Sequence, residues 1–139
     1  MAVEIDIEYT GDLQCKAAHG PSGQVLSTDA PVDNGGSGST FSPTDLVATA
    51  LGACVLTVMG IVAGRRGLDL AGSRVHVVKE MTADPVRRIS RLAVSATVPP
   101  GRVSSEDDRA VLRRTAELCP VKQSLHPATV VELSISFGD

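Results

Sequence analysis

The sequence predicts an α+β fold with the element order β-β-β-α-β-β-α-β, on three observations. Segments near both ends alternate with the two-residue period of a strand: Val3, Ile5, Ile7 and Tyr9 against Glu4, Asp6 and Glu8, and later Val131, Leu133, Ile135 and Phe137. Between them Leu46 to Gly64 runs 19 residues without a charge. The strands come in runs rather than alternating singly with helices, which separates α+β from α/β.

The 139 residues suit one domain, residues 1–139, long enough for a single core. With two Phe, one Tyr and no Trp that core is aliphatic. A formal charge of −3 with scattered Lys and Arg supplies no phosphate-binding surface, so nucleic acid is not an expected partner. The opening "MAVEIDIEYTGD" is acidic where a secretory signal would be basic and then apolar, so the expected location is cytoplasmic. Thiols stay reduced there, and three cysteines suggest reactivity or plain burial before structural disulfides.

The first strand is followed by "DLQCKAAHG" and "GQVLSTDA", two short strands separated by the turn signal "GPSG". Residues 29 to 44, "DAPVDNGGSGSTFSPT", read as a loop ending in a helix start: Ser42 as N-cap, Pro43 at the first helical position, Asp45 three residues after the cap. The helix runs to about Arg66. Its uncharged stretch nears the lower length for a membrane span, but it is rich in Ala, Gly and Thr and lacks an aromatic belt; a central buried helix is expected, and no membrane partner. Ala48, Gly52, Gly60 and Gly64 form one small-residue ridge, interrupted by Leu56, that another helix could approach closely. "SRVHVVKEMTA" and "RRISRLAVSATV" form a hairpin across Asp84-Pro85, with Leu92, Val94, Ala96 and Val98 on one face. Ser104 or Ser105 caps a second helix whose apolar side carries Val111, Leu112, Thr115, Ala116, Leu118 and Cys119. The alternating strand 129–137 closes the chain.

Two cysteines stand out. Cys119 precedes Pro120, which ends one helix and suits the first position of the next, "PVKQSL". Cys119 then becomes an N-cap, where free N–H groups and the helix dipole favour thiolate. Cys54 lies inside the apolar helix, where its simplest role is that of a small hydrophobe. Sequence separation alone says nothing about whether the two meet.

"FSPTDLVATALGACVLTVMG" followed by "ELCPVKQSL" resembles the paired signature of the OsmC/Ohr family of thiol-dependent hydroperoxide reductases, and the order of elements is similar across essentially the whole chain. The resemblance implies an intertwined homodimer with long central helices packed together and the two cysteines facing each other. It implies that Cys54 is the peroxidatic thiolate and Cys119 the resolving thiol, in a sulfenic acid and disulfide cycle that an external dithiol reduces, with no metal, haem or flavin cofactor. Active members resemble one another in an arginine of the N-terminal strand region and a glutamate near the start of the central helix. Here no Arg precedes Arg65, and Thr44 stands at the glutamate position with Asp45 beside it. Asp45 and Glu80 are candidate carboxylates, although Asp45 equally suits capping; Lys16 or His19, or Arg87 or Arg88 of a partner subunit, are candidate cations. Reduction of organic hydroperoxides in oxidative stress defence is the expected function. The alternatives are a noncatalytic dimer binding a small apolar ligand and a thiol redox sensor. Cys15 and His19 form C-x₃-H without a second ligand pair, so no metal site is expected; "GGSGST" lacks a P-loop lysine and reads as loop.

Overall fold

Asp12 and Leu13, with φ of 54° and 63°, make the tight turn that folds the first strand, β1 (Ile5–Gly11), back onto β2 (Gln14–His19). Two adjacent left-handed residues are the signature of the mirror-image turn whose twist matches a hairpin. The Tyr9 hydroxyl accepts the Leu13 N–H at 3.2 Å, and Leu13 O accepts the Ala30 N–H at 3.1 Å. The computed structural model describes all 139 residues, which fall into two compact units, Met1–Val47 and Ala48–Asp139.

The first unit is a meander of three antiparallel strands in the order β1-β2-β3, with β3 at Val25–Asp29. Register sets Ile7 opposite Ala17 and Ala17 opposite Leu26, and Tyr9 opposite Cys15, so the apolar positions share one face as the alternation predicts. In the single chain this face is open: Ile5, Ile7 and Tyr9 are 56%, 67% and 63% exposed. Alternation reports which side a residue takes, not what lies against it. A 3-10 turn at Val32–Asn34 follows, then the helix start. There Ser42 Oγ accepts the Asp45 N–H at 3.1 Å and Asp45 Oδ2 accepts the Ser42 N–H at 2.9 Å, a reciprocal cap with Asp in the role Glu usually fills.

The long helix α1 (Pro43–Arg65) carries the chain into the second unit. By length and composition alone it could span a bilayer. Here Ala48, Leu51, Gly52, Val55, Met59 and Ala63 are buried along one side, while Ile61 is 51% exposed, so the helix is buried on a face rather than all round. Its bed is a sheet ordered β4-β5-β6: β4 (Arg74–Thr82) pairs antiparallel with β5 (Arg88–Thr97), and β5 parallel with β6 (Val130–Ser136). A parallel partner requires a crossover, which α2 (Glu106–Glu117) and α3 (Pro120–Ser124) supply.

Leu92, Val94, Ala96 and Val98 are all buried, as predicted for one face of β5, and join Leu51, Val55, Met59, Leu112, Ala116 and Phe137 in an aliphatic core. Ser105 rather than Ser104 caps α2, accepting the Asp108 N–H at 3.3 Å. Leu118, placed on the apolar side of α2 by spacing, is 65% exposed because the helix has already ended at Glu117.

Candidate thiol site

Cys119 occupies the joint between α2 and α3. Its N–H bonds to Ala116 O at 3.3 Å, closing α2, and its extended backbone (φ −60°, ψ 140°) opens α3, where its Sγ accepts the Lys122 N–H at 3.3 Å. This is the N-cap that Cys119-Pro120 predicts. The thiol is 0% exposed and within hydrogen-bonding reach of Cys54. Cys54, half-buried on the side of α1 turned toward Val58 and Val62, packs against the core cluster that contains Cys119. The fold thus brings together the two cysteines that were far apart in sequence.

The expected lowering of the Cys119 pKa does not occur. Burial pushes this thiol above its ordinary value, and the neighbouring Cys54 sulfur pushes the same way, against the Lys122 N–H that favours the anion. The Lys122 and Val121 N–H groups at the mouth of a five-residue helix do not offset loss of solvent by a fully buried sulfur. Cys119 rests as a protonated thiol.

The remaining sequence candidates lie on several elements of the two units. Glu80 sits on the outer face of β4, ion-paired with Arg91 at 3.4 Å, opposite the face on which Val75 and Val77 meet α1; the structure does not bring it to the thiols. Arg91 also pairs with Glu132 across the sheet. Arg87 and Arg88 lie at the start of β5, Arg88 donating to Ile89 O at 3.2 Å. In the first unit Lys16 is exposed on β2 opposite Glu8, and His19 Nδ1 meets Ser22 Oγ at 2.6 Å in the next turn. Thr44 and Asp45 belong to the first turn of α1, with Thr44 Oγ1 3.3 Å from Ser42 Oγ. Cys15 lies on β2 between Tyr9 and Thr28, and no three His, Cys, Asp or Glu side chains converge with it.

Two residues escaped the sequence reading. Lys79 is half-buried on the face of β4 shared with Val75 and Val77, opposite the fully buried Leu92; the alternation of "VHVVK" carried that signal. Asp29, at the end of β3, is 1% exposed and organises the loop before α1. Its Oδ2 accepts Ser37 Oγ, the Ser39 N–H at 3.0 Å and Ser39 Oγ at 2.7 Å. Those bonds, the one from Ser37 foremost, hold its pKa far below the ordinary carboxylate value. A folded pKa below the unfolded one contributes stability that is present above the unfolded value of about 3.9 and is lost as pH falls toward the folded one. Asp29→Asn is therefore expected to lower the urea midpoint at pH 7, with the gap from wild type closing progressively below about pH 4. A constant gap down to pH 2 would contradict this account.

A family model for OsmC-like protein matches residues 36–134, most of the chain and both cysteines. The chain belongs to the OsmC-like family. Among solved structures, a protein from Psychrobacter arcticus 273-4, named for osmotic stress induction and detoxification response, is 40% identical over 94% of this chain and 93% of its own, with a TM-score of 0.87. OsmC of Legionella pneumophila, named an organic hydroperoxide resistance protein, is 18% identical over 99% and 98%, with a TM-score of 0.77. An organic hydroperoxide resistance protein from Elizabethkingia anophelis is 15% identical over 100% and 97%, with a TM-score of 0.76. The last two likenesses establish the OsmC-like fold. No curated protein matches the chain.

Proposed function

We propose that this OsmC-like chain is a thiol peroxidase for organic hydroperoxides, and the observation that carries the reading is the close approach of the buried Cys119 thiol to Cys54. The Cys54 thiolate attacks one peroxide oxygen; the O–O bond breaks, an alcohol leaves, and Cys54 becomes a sulfenic acid. The Cys119 sulfur then attacks Cys54, the S–S bond forms, and water leaves with the Cys119 proton. An external dithiol returns both thiols to the reduced state. Neither step needs a metal or an organic cofactor.

Cys54 packs against an aliphatic cluster, which favours alkyl or aryl hydroperoxides over hydrogen peroxide. A second copy of the chain completes the reading. The exposed apolar face of Ile5, Ile7 and Tyr9, and the open space that a Cβ would meet at Gly60 and Gly64, supply surface for a homodimer. A cytoplasmic setting, where thiols are kept reduced, suits the cycle.

Free-thiol counting before and after one equivalent of cumene hydroperoxide tests the proposal. Wild type is expected to lose two thiols, Cys54 and Cys119, with Cys15 retained; retention of all three thiols ends the peroxidase reading. Loss of two thiols without further peroxide consumption when dithiothreitol is added would make the chain a redox sensor instead.

A further inference from the structure

The Cys119 sulfur serves two partners. It caps α3 by accepting the Lys122 N–H at 3.3 Å, and it stands within hydrogen-bonding reach of Cys54. The helix it caps is five residues long and has no buried residue, far below the length at which a helix holds itself. Around the cap, the Gln123 N–H bonds to Cys119 O at 3.1 Å and the Leu125 N–H to Lys122 O at 3.3 Å, while Val121 and Leu125 pack partly against the core. A covalent S–S bond of about 2.05 Å is far shorter than a hydrogen-bonded approach of two sulfurs, so closing it draws the Cys119 sulfur toward Cys54 at the expense of its contact with the Lys122 N–H.

We infer that closing the Cys54–Cys119 disulfide uncaps α3 and releases residues 120–125, which are ordered in the dithiol form and open in the disulfide form. The inference rests on the thiol pair of the proposed function, but not on a hydroperoxide being the oxidant. It also meets a requirement of the cycle. In the dithiol form Cys119 is 0% exposed, and a dithiol reductant cannot reach its sulfur. With α3 released, a reductant thiolate attacks the Cys119 sulfur, the Cys54 thiolate leaves, and the second reductant thiol displaces Cys119 as the reductant's own disulfide forms.

Amide hydrogen exchange at Lys122 and Gln123 in the full chain tests this, comparing the dithiol form with a disulfide made by diamide, which removes two electrons and two protons from the thiol pair. Loss of an N-cap corresponds to exchange about fivefold faster, and that is the expected change, with the Leu112 and Ala116 amides of α2 unaltered. Cys119→Ala in the dithiol form should reproduce the rise without any S–S bond, and Cys119→Ser, which retains a capping oxygen, should exchange slowly before and after diamide. Equal or slower exchange in the disulfide form overturns the inference, as does failure of diamide to join Cys54 to Cys119. If diamide forms the bond and cumene hydroperoxide does not, the peroxidase reading falls while the exchange rates still decide the release of α3.

Discussion

Cys54→Ser reduces consumption of cumene hydroperoxide to the rate of buffer alone, whereas Cys119→Ser consumes about one equivalent per chain and stops at a sulfenic acid on Cys54 when no thiol is added. The asymmetry follows from the roles that position gives each sulfur. A serine hydroxyl at position 54 is not ionised near neutral pH and does not cleave an O–O bond, so the first step is lost. At position 119 the first step is untouched and only its resolution fails. Serine also caps helices well, so Cys119→Ser keeps the α2–α3 joint and reports on chemistry rather than folding. Stopped-flow peroxide consumption, with dimedone trapping and mass spectrometry of the product, distinguishes the cases. Burial holds the Cys119 thiol above its ordinary pKa, so the wild-type disulfide step should also quicken as pH rises above neutrality. Full turnover by Cys54→Ser would remove the assignment altogether.

The same cysteines show how far the sequence could be read. The order of elements, the Ser42-Pro43-Asp45 helix start, the buried face of β5 and the N-cap at Cys119 rest on local rules of capping and period, and the structure contains each of them. The approach of Cys119 to Cys54 came only from resemblance, because no local rule spans the crossover that joins β5 to β6. The thiol pKa is not legible for a related reason: capping can be read from Cys-Pro, but complete burial of the sulfur depends on the core cluster to which Cys119 belongs, assembled from distant segments. Asp29 was invisible because its partners, Ser37 and Ser39, lie in a loop whose composition suggested only flexibility. Asp45 was legible as a cap, and the capping bonds are present.

The position at which packing should matter most beside the thiols is Gly52. A Cβ there would stand 2.9 Å from Val77 Cγ2 and 3.1 Å from Val75 Cγ1, so α1 lies on β4 as closely as backbone against side chain allows. For Gly52→Ala two terms oppose. Removing glycine from a helix interior gains about 1 kcal/mol, and overpacking costs about 1–3 kcal/mol. Two branched valines on a paired strand yield little, so the net change is a loss of up to about 2 kcal/mol. Gly52→Val adds two methyl groups in the same space and a β-branched helix residue, and should cost about 3 kcal/mol or more, a large share of a stability of about 5–15 kcal/mol. Urea unfolding measures both, and a Gly52→Val midpoint equal to wild type would show that the helix can move off the strand at little cost. The contrast is Gly60→Ala on the same helix, where a Cβ meets nothing within 4 Å. With that face in water the substitution gains up to about 1 kcal/mol from helix propensity alone. With a second copy of the chain packed against it, the added methyl instead weakens association, and the loss grows as protein concentration falls.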